Sequence, residues 1–157
     1  MRRWILVSIG IVAAMLLLRN ESPAGVDVGV LEPAQVLMVD ERYGSVTVRT
    51  DMGHFGSGSD LAGAISNMER MAAGKVFLDT TEYLVLSPSA WDRLPELAIF
   101  LRRSCKVCLA ENVTDLGRVG EYLSVHEPSV ALGDWKKGDK ALPILMIKGE
   151  RMYLANP

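Results

Sequence analysis

The sequence predicts a mixed α/β domain carried behind a hydrophobic N-terminal leader. Three observations predict it. An uncharged apolar run, Trp4 to Leu18, lies between Arg2, Arg3 and Arg19. Several short Val-, Ile- and Leu-rich segments alternate with period two, and Leu61, Ile65, Met68 and Ala72 recur at the spacing of one helix face. Strands interleaved with helical stretches imply a small mixed sheet with about three helices. The layout is a signal anchor or signal peptide at 1–19, a tether at 20–33, and a single extracytoplasmic α/β domain at 34–157.

The leader has the positive flank and apolar centre of an export signal, which holds the arginines on the cytoplasmic side and sends the rest across. As a helix, the run from Trp4 to Leu18 spans roughly 22 Å, short of the ~30 Å hydrocarbon core, and this favours a cleaved signal. Small residues at Ser22 and Ala24 fit cleavage, whereas Arg19 directly after the run and the lack of an A-x-A site fit a retained anchor. Both outcomes stay open. No cysteine follows the run to accept an N-terminal lipid, so an anchored chain is held by the helix itself.

The stretch from Asn20 to Pro33, with two prolines and two glycines, reads as a tether leading into the fold. Gln35 to Asp40 and Ser45 to Asp51 alternate around Glu41, Arg42, Tyr43 and Gly44, a hairpin signal with Val46 and Val48 on one face. Gly53 to Ser59 reads as a glycine-rich loop. The helix through Leu61, Ile65, Met68 and Ala72 takes Ser59 or Asp60 as N-cap, with Gly74 beyond its end, and its buried face is expected to pack on strands that include Val85 and Val107. Val76 to Leu78 and Tyr83 to Leu86 read as buried strands. Ser87 and Pro88 open a helical stretch through Trp91, Leu94, Leu97 and Leu101 that restarts at Pro95. Ser104 to Ala110 is a strand, and Thr114 caps a helix burying Leu116, Val119 and Leu123 that ends before Pro128. Pro143 leads into a strand at Ile144 to Ile147, and Gly149 turns the chain into a last strand, Arg151 to Leu154.

Without the leader the chain has fourteen basic and nineteen acidic residues, a balance of −5. Nucleic-acid binding rests on phosphate neutralisation by Lys and Arg, so that class is not expected. The basic clusters, Arg102, Arg103 with Lys106 and Lys136, Lys137 with Lys140, read as solvated element ends.

Three features could carry chemistry. Cys105 and Cys108 form a C-x-x-C, which in an oxidising compartment suggests thiol and disulfide exchange. That chemistry needs the pair at a helix start. In a strand, residues three apart point to opposite faces at roughly 10 Å, too far for a disulfide. The alternation of Cys105, Val107 and Leu109 with Lys106, Cys108 and Ala110 is a strand pattern, so a structural pair is expected. The loop Gly53 to Asp60 lies where phosphate loops lie, but it lacks their Lys, has Leu61 in place of a third glycine, and puts Asp60 where a phosphate would sit. It reads as a flexible surface loop, with partner contact as the functional alternative. His54 and His126 have no motif neighbours, and His126 at a helix C-terminus complements the helix dipole. No residue is assigned a catalytic, cofactor-binding or metal-ligating role.

The order of elements resembles a known family. The capped helix ending in Met68 to Gly74, the strands at Val76 to Leu78 and Tyr83 to Leu86, the helix ending in Phe100 to Arg103 and the strand into Ala110 and Glu111 are similar to the N-terminal domain of the C subunit of spore germinant receptors, the Ger(x)C type. The resemblance covers roughly Val36 to Ser124. It implies a bacterial, non-catalytic, membrane-tethered α/β module outside the cell membrane or inner spore membrane. Such a module works in sporulation or spore germination by association with integral-membrane partners. No cofactor is expected. The sequence departs from that family in lacking the lipid-accepting cysteine and in stopping after one domain. The alternative from another class is a thioredoxin-like thiol-disulfide oxidoreductase using Cys105 and Cys108, with Pro143 packed beside them in the cis form.

Overall fold

The computed structural model describes residues 31–72, 75–135 and 141–157. The leader, the tether as far as residue 30, Gly74, and Lys136, Lys137 and Lys140 lie outside the described residues.

The hairpin forms where alternation and turn chemistry coincide. Strand β2 (Val36–Arg42) pairs antiparallel with β3 (Ser45–Thr50), and the register brings Arg42 opposite Ser45 across the two-residue turn Tyr43–Gly44. Both turn residues have positive φ, 52° and 76°, the mirror-image turn that matches strand twist and that glycine adopts without strain.

Gly53 to Ser59 departs from the expected loop. Phe55–Gly58 is a strand, β4, paired antiparallel to β3, and it packs directly under the first helix, α1 (Leu61–Met71). A Cβ on Gly56 would lie 2.5 Å from the Met68 nitrogen and 2.7 Å from the Met68 Cβ, and one on Gly58 would lie 2.6 Å from the Ala64 nitrogen. The glycines let the helix backbone approach the strand; they do not confer flexibility.

Asp60 caps α1, its carboxylate accepting from the Gly63 N–H at 2.7 Å, and Leu61, Ala64, Ile65 and Met68 are buried. Ala72 lies past the helix end in extended backbone and is only partly buried. An Asp60→Ala variant should lose about 1 kcal/mol in urea unfolding, the usual worth of such a cap. An unchanged midpoint would remove the cap from the account.

The predicted strand at Val76 to Leu78 lies one residue earlier, as β5 (Lys75–Phe77), and among the described residues pairs only with β1 (Leu31–Pro33), while Leu78 enters a 3₁₀ turn ending at Thr80. Strand β6 (Tyr83–Leu86) is buried along its whole length. Pro88 begins a 3₁₀ turn through Arg93, and the chain then continues as α2 (Leu94–Phe100), which makes Leu94, not Pro95, the restart. Strand β7 spans Lys106–Ala110. Helix α3 (Leu116–Val125) is capped by Asp115, one residue after Thr114, with its carboxylate accepting from the Arg118 N–H at 3.0 Å. Strands β8 (Ile144–Lys148) and β9 (Arg151–Ala155) close the described chain.

Seven strands form one mixed sheet in the order β4-β3-β2-β6-β7-β8-β9, parallel from β2 to β8 and antiparallel at both ends. The mixed α/β class predicted from the sequence is the class of the structure. Period-two geometry splits the buried residues between two layers. Leu37, Val39, Leu84, Leu86 and Val107 pack with α1 and α2, while Val36, Met38, Val85 and Cys108 pack with α3. The α1 face was expected to pack on strands including Val85 and Val107; Val107 shares its layer, but Val85 faces the opposite side. At the end of β2, Arg93 forks onto Glu41 at 2.8 and 3.1 Å and reaches Glu96 at 3.0 Å, which ties the 3₁₀ turn to the sheet. These hydrogen bonds hold the Glu41 carboxyl below its ordinary value.

Candidate functional site

The structure separates the two cysteines. Cys105 precedes β7 and belongs to the layer under α1 and α2, whereas Cys108 lies within β7 and packs under α3. Both are buried free thiols, and burial pushes each up to about 12. A thiol held this far above neutrality is a poor nucleophile, because the thiolate is the reactive form. The arrangement that a thioredoxin-like centre requires, two neighbouring thiols at a helix start beside a cis proline, is not found. The thiols face opposite sides of a sheet, and no peptide bond among the described residues is cis.

His54 follows β3, and its N–H donates to the Thr50 hydroxyl at 3.2 Å. His126 terminates α3: its ring stacks on Tyr122 with centroids 4.4 Å apart, and its Nδ1 lies 3.2 Å from the Tyr122 carbonyl oxygen. That placement matches the helix-end role expected of it. In the first basic cluster, Lys106 pairs with Glu127 at 3.7 Å and Arg103 donates to the Gly133 carbonyl at 3.5 Å. Its cations are thus partly spent on local contacts at the ends of elements. Among the described residues, no three His, Cys, Asp or Glu side chains are grouped to hold a metal ion.

The β8–β9 hairpin, in contrast, presents an apolar surface. In β8, Leu145 and Ile147 turn toward α3, and from β9 so do Met152 and Leu154. The alternate residues therefore face the opposite side, where Met146 pairs across to Tyr153 and Ile144 to Ala155. Helices α1 and α2 cover that side of the sheet over other strands. Over the β8–β9 hairpin, Ile144, Met146 and Tyr153 remain 48%, 41% and 44% exposed. Lys148 and Arg151, paired across the turn, edge the patch with positive charge. Strand β9 is also the last strand of the sheet, with a free backbone edge among the described residues. A contiguous apolar surface with a polar rim is the usual form of a protein contact site, and burying each such side chain is worth on the order of 1 kcal/mol. Sequence reading missed this patch. The signal was present in Ile144 to Ile147, apolar on both faces, which is the pattern of a strand covered on both sides.

Comparison with protein-family models, with curated proteins and with solved structures finds no match to this chain.

Proposed function

We propose that the protein is an exported, membrane-tethered α/β module that acts by binding other proteins and not by catalysis, within a bacterial sporulation or germination assembly. The observation that carries the binding reading is the uncovered apolar face of the β8–β9 hairpin at Ile144, Met146 and Tyr153. The leader, with Arg2 and Arg3 before the run from Trp4 to Leu18, supports export and tethering, and the partners are then integral-membrane proteins met at the bilayer surface. The similarity of Val36 to Ser124 to the Ger(x)C N-terminal domain supports the germination setting.

Two measurements test this. Protease added to intact cells should digest the domain without permeabilisation, and digestion only after permeabilisation refutes the topology. Co-purification of the tagged full chain from its native membrane should recover integral-membrane partners that a Met146→Glu, Tyr153→Glu variant loses. Both positions are exposed, so that variant should keep its unfolding midpoint to within ~0.5 kcal/mol. Equal recovery with both chains would reject the hairpin face as the contact.

A further inference from the structure

A second surface stands apart from that face. Tyr43 at the tip of the β2–β3 hairpin is fully exposed and sits at φ 52°, in the left-handed region. A bulky side chain is strained there, and Asn or Asp at the same turn position would be less so. Full exposure means that no burial within the described fold offsets this strain. The β2–β3 ladder closes the turn with Arg42 opposite Ser45, and it leaves the Tyr43 ring projecting from the fold. Beside it, Arg42 is ion-paired through its Nε with Asp40 at 2.9 Å, and its side chain is 68% exposed. The tip therefore presents an aromatic ring next to a guanidinium, two of the side chains that dominate protein contacts.

The same molecule carries a groove of complementary character. Ile65 of α1, Val76 of β5, Leu78 and Phe100 of α2 line a cleft of about 320 Å³, large enough for one aromatic side chain. Glu69, Asp79 and Lys75 line it as well. Neither carboxylate has an ion pair among the described residues, which leaves the rim acidic on balance. Leu78 and Asp79 precede β6, at the amino end of the parallel strands, whereas Tyr43 follows the carboxyl end of β2. Tip and groove thus lie at opposite ends of the sheet, and a chain cannot fill its own groove.

We infer that the hairpin tip of one copy docks in the groove of a second copy, Tyr43 entering between Ile65 and Phe100 and Arg42 meeting Glu69 and Asp79. Because the two surfaces differ, the contact is head-to-tail and propagates into a ring or an open row of domains. In a tethered chain the membrane raises local concentration, so a modest contact suffices. This inference does not depend on the β8–β9 reading.

Cysteine crosslinking of the full chain in membranes tests it. Mixed Arg42→Cys and Glu69→Cys chains, differently tagged, should form an inter-chain disulfide on mild oxidation at least fivefold above a mixture in which Glu111→Cys replaces Glu69→Cys. Adding Tyr43→Asn to the Arg42→Cys chain should cut the adduct at least fivefold while the melting temperature stays level or rises, since Asn suits the turn. Adding Met146→Glu and Tyr153→Glu should leave the adduct unchanged. No adduct above the control, adducts only between chains of the same variant, or an adduct indifferent to Tyr43→Asn would overturn the proposal.

Discussion

Cys105 and Cys108 should react with iodoacetamide at pH 8 about a thousandfold more slowly in the folded protein than in the urea-unfolded chain. With each thiol pushed up to about 12 by burial, roughly one in ten thousand is ionised at that pH, against about a quarter for an ordinary thiol near 8.5. The same shift predicts an alkaline weakness. Between the ordinary thiol range and about 12, the unfolded chain loses protons that the folded chain retains. The unfolded state therefore binds fewer protons, and stability falls as pH rises through that window. Each thiol should contribute a slope on the order of 1 kcal/mol per pH unit. Below the ordinary range both thiols are protonated in either state and their contribution is complete. A Cys105→Ala, Cys108→Ala chain, whatever its absolute stability, should show a flatter decline above pH 9. Some slope will remain above pH 10, because burial also raises Tyr83. Rapid labelling of either cysteine in a chain that remains folded would contradict the buried placement and reopen the thiol-exchange reading.

The seam between α1 and β4 should be the most sensitive part of the fold to substitution. Gly56→Ala inserts a methyl group within 2.7 Å of the Met68 Cβ and 2.5 Å of its nitrogen, so the helix must move away from the strand. Backbone atoms cannot rotate aside as a side chain can, which puts the cost at about 3 kcal/mol, the upper part of the usual overpacking range. Leu61→Ala, at a fully buried position, should cost about 3 kcal/mol through lost burial and a residual cavity. The two changes act on the buried side of α1 by opposite means, one overfilling it and one emptying it. Glu69→Ala, on the exposed side of the same helix, should cost less than ~0.5 kcal/mol. Urea unfolding midpoints provide the comparison, and a small loss at Gly56 would mean that α1 does not lie on β4 as described.

What can be read from neighbouring residues alone depends on which properties are local. The hairpin around Glu41 to Gly44, the α1 face, the strand at Tyr83 to Leu86 and the helix ending before Pro128 were all readable, because turn preference and helix or strand period are set by neighbouring residues; the extension of β2 to Arg42, which narrows the turn to Tyr43 and Gly44, was not. The opposite facing of Cys105 and Cys108 belongs with these, since it needs only the period of an extended chain. The cap of α3 was missed by one residue because Thr114 and Asp115 are both able caps and the choice depends on where the helix begins.

Gly53 to Ser59 was misread because nothing in a glycine-rich segment favours a strand by itself; β3 supplies the ladder, and α1 supplies a surface that only glycine can approach so closely. Val85 was assigned to the wrong layer although its strand was correctly found, because alternation tells which residues share a face but not which helix covers it. The exposed patch on the β8–β9 hairpin has the same origin. Ile144 and Leu145 are aliphatic isomers of equal size, yet one is 48% exposed and the other 2%. Local residue order fixes the period and the kind of each readable element. Which of two apolar faces is covered is a property of residues far apart in the chain, and only tertiary packing decided it.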